Sequence, residues 1–194
     1  MKASLQRLAE RADAEGLLDV AYATVDSPFG PLLIAATPRG LVRVNLPAYD
    51  PEETLEELAA RISPRVLEAP ERLDDARREL DLYFEGKLTE FGLPIDWRLT
   101  DGFRKKVQRA IARIPYGQTR TYTDMARSAG NERAVRAAGT ACGSNPIPIV
   151  VPCHRVLRTG GGLGGYGGGL PMKEALLDLE GRRVASRPDK RRSN

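Results

Sequence analysis

The runs Val20-Ala21-Tyr22-Ala23-Thr24-Val25, Leu32-Leu33-Ile34-Ala35-Ala36 and Leu41-Val42-Arg43-Val44-Asn45-Leu46 decide the fold of the N-terminal half. Each is short and apolar, and Pro28-Phe29-Gly30-Pro31 and Pro38-Arg39-Gly40 separate them, so they read as a three-stranded antiparallel meander. Upstream, residues 1–18 read as a short polar helix. Downstream, helical spacing runs from Pro51 to about Ile62, with Leu55, Leu58, Ala59 and Ile62 on one side, and from Leu73 to about Phe84, with Leu73, Ala76, Leu80 and Phe84. The sequence therefore predicts an N-terminal extension over 1–18 and a small α+β domain over 19–92.

Further out, Leu93-Pro94-Ile95-Asp96-Trp97 reads as an extended connector, because Pro94 cannot sit inside a helix and biases Leu93 away from one. A helix follows from about Gly102 to Ile114, capped by Thr100 or Asp101. Its apolar stripe is Phe103, Val107, Ala110, Ile111 and Ile114. Two shorter helices, Thr121 to about Ala129 and Glu132 to about Cys142, are separated by Gly130-Asn131 and carry Arg127, Arg133 and Arg136. Such a pair fits a helix-turn-helix, although any helical hairpin gives the same pattern. A mostly α-helical C-terminal domain is expected over 93–181, with a basic tail over 182–194.

With 41% hydrophobic and 29% charged residues, the 194-residue chain is expected to fold as a soluble globular protein. Nothing approaches ~20 continuous apolar residues, so no membrane partner is expected. The first residues show no apolar secretory core, so a cytoplasmic location is expected. Two cysteines, Cys142 and Cys153, and one histidine are too few for a disulfide framework or a structural zinc site. Charge divides the chain: 11 basic and 19 acidic residues lie in 1–97, against 19 basic and 7 acidic in 98–194. The basic half is the part expected to face a polyanion, namely a nucleic acid backbone.

Chemistry concentrates in Asn145-Pro146-Ile147-Pro148-Ile149-Val150-Val151-Pro152-Cys153-His154-Arg155-Val156. Its prolines exclude helix and its apolar character predicts burial, so a rigid extended loop presenting Cys153 is expected. Side chains alternate along an extended chain, so Cys153 and His154 can cooperate only through a local turn or a bridging water. An imidazole or cation nearby lowers a thiol pKa from about 8.5 and yields the nucleophilic thiolate. Residues Gly160 to Gly169 hold eight glycines around Leu163 and Tyr166. No buried strand leads into them and no Lys-Ser/Thr follows, which excludes a phosphate loop. They read either as a linker or as bare backbone that a flat ligand can approach, with Tyr166 as its aromatic wall. A helix from Pro171 then ends in Glu180 and Gly181. A carboxylate at that end opposes the helix dipole, so it calls for a cationic partner, for which His154 is a candidate.

Taken together, Asn145-Pro146-x-Pro148-Ile149-x-x-Pro152-Cys153-His154-Arg155-Val156 and Gly164-x-Tyr166-x-Gly168-Gly169-Leu170-x-x-Lys173-x-x-Leu176-Leu177-x-x-Glu180 resemble the O6-alkylguanine-DNA alkyltransferases. Upstream, Ile114-Pro115-x-Gly117-x-Thr119-x-Thr121-Tyr122 and Arg136-Ala137-x-Gly139 extend the likeness. The resemblance implies a ribonuclease H-like N-terminal domain, a DNA-binding C-terminal domain and irreversible transfer of an alkyl group from O6 of guanine to Cys153, with O4-alkylthymine as an open second substrate. It implies that His154 deprotonates Cys153 through a water and that Glu180 orients the imidazole. Tyr122 would serve the leaving guanine, and Asn145 would brace the turn before the loop. Arg136 would fill the stack after base flipping, with Thr121, Tyr122, Arg133, Ala137 and Gly139 also at the DNA. Tyr122, Pro148, Cys153, Tyr166 and main-chain groups near Val156 and Gly167 would line the pocket; a glycine at 167, where many relatives carry serine, would matter little if the backbone N–H is the donor, or else would widen the pocket toward larger adducts. Alkylated double-stranded DNA is the expected partner of a monomer, with cooperative binding along DNA left open; no cofactor and no metal are expected. A lesion sensor without transfer and a thiol-dependent hydrolase are the alternatives.

Overall fold

The computed structural model describes Arg11 and residues 15–181; most of the helix expected over 1–18, and the whole 182–194 tail, lie outside the described residues. The three predicted strands form as β1 (Val20–Val25), β2 (Leu32–Thr37) and β3 (Gly40–Asn45), in antiparallel pairs. The sheet is not a three-stranded meander, however. A fourth strand, β4 (Val66–Glu68), adds parallel to β1 and gives the order β3-β2-β1-β4. Three residues are too few to show a period. The strand is held instead from its flank, where Ser63 Oγ and Arg65 Nε donate to Asp19 Oδ2 at 2.6 and 2.8 Å.

Helices α1 (Pro51–Arg61) and α2 (Asp74–Phe84) follow the predicted spacing closely, and Asp50 caps α1 by accepting from the Glu52 amide. Strand alternation sorts the sheet's two faces. Val20, Ala35 and Val42 pack with Leu58 of α1, whereas Ala21, Ala23, Ile34 and Val44 join Leu80 and Tyr83 of α2 in a second cluster. That second cluster continues without a break into Val107, Ile111, Ile147, Cys153 and Leu176 of the C-terminal half. The halves that the sequence divides at 92/93 thus share one core. The connector is bonded to the sheet: Leu41 N donates to Pro94 O, Asp96 N to Leu41 O, and Thr37 Oγ1 to the buried Asp96 carboxylate at 2.6 Å. Gly40, at φ 129°, leaves room for the Pro94 carbonyl where any β-carbon would collide.

The C-terminal half contains α3 (Gly102–Ile111), α4 (Tyr122–Ser128), α5 (Val135–Gly143) and α6 (Leu170–Leu179). A short parallel pair, β5 (Arg120–Thr121) with β6 (Val156–Leu157), joins the start of α4 to the end of the loop that carries Cys153. Two boundaries differ from expectation. Helix α3 stops at Ile111 because Arg113 and Ile114 close tighter turns onto Ala110 and Ile111. Helix α5 begins at Val135 rather than Glu132, since Ala134 N turns back onto Asn131 O, which leaves Arg133 in the inter-helix turn.

Candidate active site and DNA interface

Residues 146–157 are buried throughout, as the apolar character of the loop predicts. The loop is folded rather than extended. Asn145 clasps it, with Nδ2 donating to Val151 O at 2.7 Å and Oδ1 accepting from Ile147 N at 3.1 Å, and Val151 N closes a turn onto Ile147 O. Ile149 sits within that turn at φ 75°, a left-handed conformation that costs a β-branched residue of order 1–3 kcal/mol and persists only where the surroundings impose it. Cys153-His154-Arg155 then form a 3₁₀ turn, so the local turn, one of the two expected routes to cooperation, is present.

Around Glu180 the chain assembles a complete set of donors. Tyr83 Oη donates to Oε1 at 2.7 Å, Arg155 donates from Nη2 to Oε1 and from Nε to Oε2, both at 2.8 Å, and Gly117 N donates to Oε2 at 3.2 Å. His154 Nε2 lies 2.9 Å from Oε1. The hydrogen bonds from His154 and Arg155 outweigh burial and bring the Glu180 carboxyl down to about 2. An ionised carboxylate only accepts, so Nε2 carries the proton, and burial, which lowers the His154 pKa, keeps the ring neutral. The other nitrogen, Nδ1, is therefore an unprotonated base, buried and without a protein partner among the described residues. Burial also pushes the Cys153 thiol up, opposed by a hydrogen bond from Asn145 and by the charge of Lys173. At rest the cysteine is a thiol with a base on the next residue.

Three further groups complete the site. Tyr122 packs against Gly164, and burial raises its phenol pKa, so it stays a proton donor. Tyr166 meets the His154 ring edge-on at a centroid separation of 6.4 Å, and its buried hydroxyl has no partner among the described residues. Lys173 is fully buried and ties the glycine-rich segment down, donating to the carbonyls of Val156, Leu163 and Gly165; burial brings its pKa to about 8. The segment is thus a tethered wall rather than a free linker. Pro148, Cys153, Tyr166 and Gly167 line a common cleft of ≈ 280 Å³, whereas the Val156 side chain is buried and its carbonyl is taken by Lys173. Gly167 does not widen that cleft, because the Tyr49 phenol lies where a side chain at 167 would begin.

Tyr83 and Lys173 are the contributors that sequence reasoning misses. For Lys173 a signal exists: Lys173, Leu176, Leu177 and Glu180 fall at i, i+3, i+4 and i+7 on the buried face of α6, and charges on a buried face require partners. Tyr83 lies three residues past Leu80 on α2 and reads simply as core.

On α5 and the turn before it, Arg133 and Ala137 are exposed, Arg136 is half-exposed and Gly139 is half-buried at the Tyr122 ring. Arg127 is engaged by Asp124 and Glu132. Thr121 caps α4 in a reciprocal box with Asp124, which commits its hydroxyl. Gln108, buried on α3, holds the C-terminal end of α5 by donating to Ala141 O and Ser144 O at 3.0 and 3.3 Å.

A helix-turn-helix with exposed arginines, in one core with a buried cysteine, histidine and glutamate, defines the class as a DNA-binding protein with a buried cysteine. Residues 20–97 match the 6-O-methylguanine DNA methyltransferase ribonuclease-like domain, and residues 102–182 match the DNA binding domain of the same proteins. The chain belongs to the methylated-DNA-protein-cysteine methyltransferase family, transferases of DNA repair. It is 45% identical over 159 residues to the Mycobacterium tuberculosis H37Rv member, covering 82% of this chain and 91% of that one. The inducible Bacillus subtilis member is 42% identical over 157 residues, covering 80% and 87%. A crystal structure of Mycobacterium tuberculosis OGT in complex with DNA superposes with a TM-score of 0.71 at 40% identity, covering 84% of this chain and 94% of that chain.

Proposed function

We propose that this protein repairs O6-alkylguanine in DNA by moving the alkyl group irreversibly onto Cys153, once per molecule, after the damaged nucleotide has left the stack. The observation that carries the reading is the 2.9 Å contact between His154 Nε2 and the Glu180 carboxylate, from which the Nε2–H tautomer follows. With Nε2–H held by Glu180, Nδ1 can accept the Cys153 proton only while the ring is neutral, and burial keeps it neutral. A single water between Sγ and Nδ1 would pass the proton, a role suited to a buried, unpartnered polar atom. Sγ then attacks the alkyl carbon, the S–C bond forms as the C–O6 bond breaks, and the electron pair leaves on the guanine. Tyr122, kept protonated, supplies a hydrogen bond or proton to the departing base.

A thioether has no leaving group that the site could expel, which makes the transfer a single turnover. An O6 substituent lies within the stacked duplex, so reaction requires extrusion at a cost of a few kcal/mol. Arg136, exposed on α5, offsets that cost by occupying the vacated space. Incubation with an excess of O6-methylguanine duplex followed by intact mass measurement tests the reading. It predicts one methyl increment per molecule, absent in Cys153→Ala. Retained DNA binding with unchanged mass would mean a lesion sensor, and continued release of product beyond one equivalent would mean a hydrolase.

A further inference from the structure

Tyr49 stands alone between Ala48 and Asp50 with no motif around it, yet it is placed at the reacting end of the molecule. Its phenol shares the ≈ 280 Å³ cleft with Cys153, Pro148, Tyr166 and Gly167. A β-carbon on Gly167 would overlap the Tyr49 hydroxyl oxygen and would lie 3.3 and 3.4 Å from Cζ and Cε2 of the ring. We propose that Tyr49 is the specificity-determining wall of the alkyl pocket, admitting a methyl group and opposing bulky groups such as benzyl. This rests on the reading of Cys153 as the alkyl acceptor.

The loop that carries Tyr49 is held in advance of substrate. Tyr49 N donates to Leu46 O at 3.0 Å, Asn45 Nδ2 donates to Tyr49 O at 3.2 Å, and Asp50 caps α1 on the other side. One residue before Asn45, Val44 N donates to Pro146 O at 2.9 Å, so the strand that leads into the Tyr49 loop also braces the loop of Cys153. For displacement, the alkyl carbon must lie between Sγ and O6, and its substituents must project into the space beside Cys153. That space is bounded by Pro148, Tyr166 and, across Gly167, Tyr49. A methyl carbon projects only hydrogens, whereas a benzylic carbon must place a ring where the phenol lies. Tyr49 is 46% exposed, so its ring can swing outward, and the barrier it sets is graded.

The test compares alkyl-transfer rates of the full-length protein, Tyr49→Ala and Tyr49→Phe on duplexes carrying O6-methylguanine or O6-benzylguanine, read by intact mass. The benzyl-to-methyl rate ratio should rise by roughly tenfold or more in Tyr49→Ala, the scale on which pocket size discriminates between apolar groups, and by less in Tyr49→Phe, which keeps the ring. Gly167→Ala should slow transfer in the parent and do less harm in the Tyr49→Ala background, where the overlapping hydroxyl is gone. An unchanged ratio in Tyr49→Ala would overturn the proposal. Failure of the parent protein to take up either group would refute the acceptor reading instead, and it shows before any ratio is formed.

Discussion

At the C-terminal end of α6 the helix dipole disfavours a carboxylate, yet Glu180 stays ionised there because Tyr83, His154, Arg155 and Gly117 all donate to it. Linkage gives the sign. Against burial, the hydrogen bonds from His154 and Arg155 hold the Glu180 carboxyl at about 2 in the folded protein, below its ordinary 4.5, so its contribution is present above pH 4.5 and is lost as pH falls toward 2. His154, lowered from 6.5, stays neutral when folded while the unfolded chain takes up a proton, so stability already declines below pH 6.5. Thermal unfolding followed against pH should show both limbs. Glu180→Gln should abolish the lower limb and cost about 3 kcal/mol at pH 7, because an amide cannot balance the buried Arg155. A neutral effect on melting would contradict this charge balance. The His154–Glu180 pairing is legible in the sequence through the misplaced carboxylate. The Tyr83 contact is not, because it joins residues 97 positions apart through packing that no local pattern encodes.

Helix spacing makes the helix-turn-helix legible, but the start of α5 is set by the Asn131–Ala134 turn, and the two-residue β5–β6 pair is too short to carry a period. The active loop is misread as extended because prolines exclude a helix without specifying a turn; the Asn145 clasp and the left-handed Ile149 specify it. At this scale Arg136→Ala should lose repair of O6-methylguanine in duplex far more than reaction with free O6-methylguanine base, which has no stack to leave. Parallel single-turnover assays would check this, and equal losses on both substrates would refute the stack-filling role. Thr121→Ala should cost about 1 kcal/mol in stability by removing the cap of α4, measured by denaturant unfolding.

Over the whole molecule, the boundary between the acidic and basic halves falls at the connector after Trp97, close to the junction of the two matched domains. The charge division is therefore a domain map that the sequence carries openly. The shared core, the Val44–Pro146 bond and the Tyr83–Glu180 bond are not legible in it, and these place Cys153 where the halves meet. Phosphate contacts by the basic half predict that affinity for undamaged duplex falls at least about tenfold between roughly 50 and 200 mM salt; a flat response would contradict them. The site of alkylation remains the most direct test, because Cys142 and Cys153 line one cleft. Trypsin leaves both on the fragment from Ala137 to Arg155, so fragment-ion mass spectrometry of that peptide after reaction with O6-methylguanine duplex locates the methyl group. The account predicts it on Cys153 alone. A methyl on Cys142, or on neither cysteine, would contradict it.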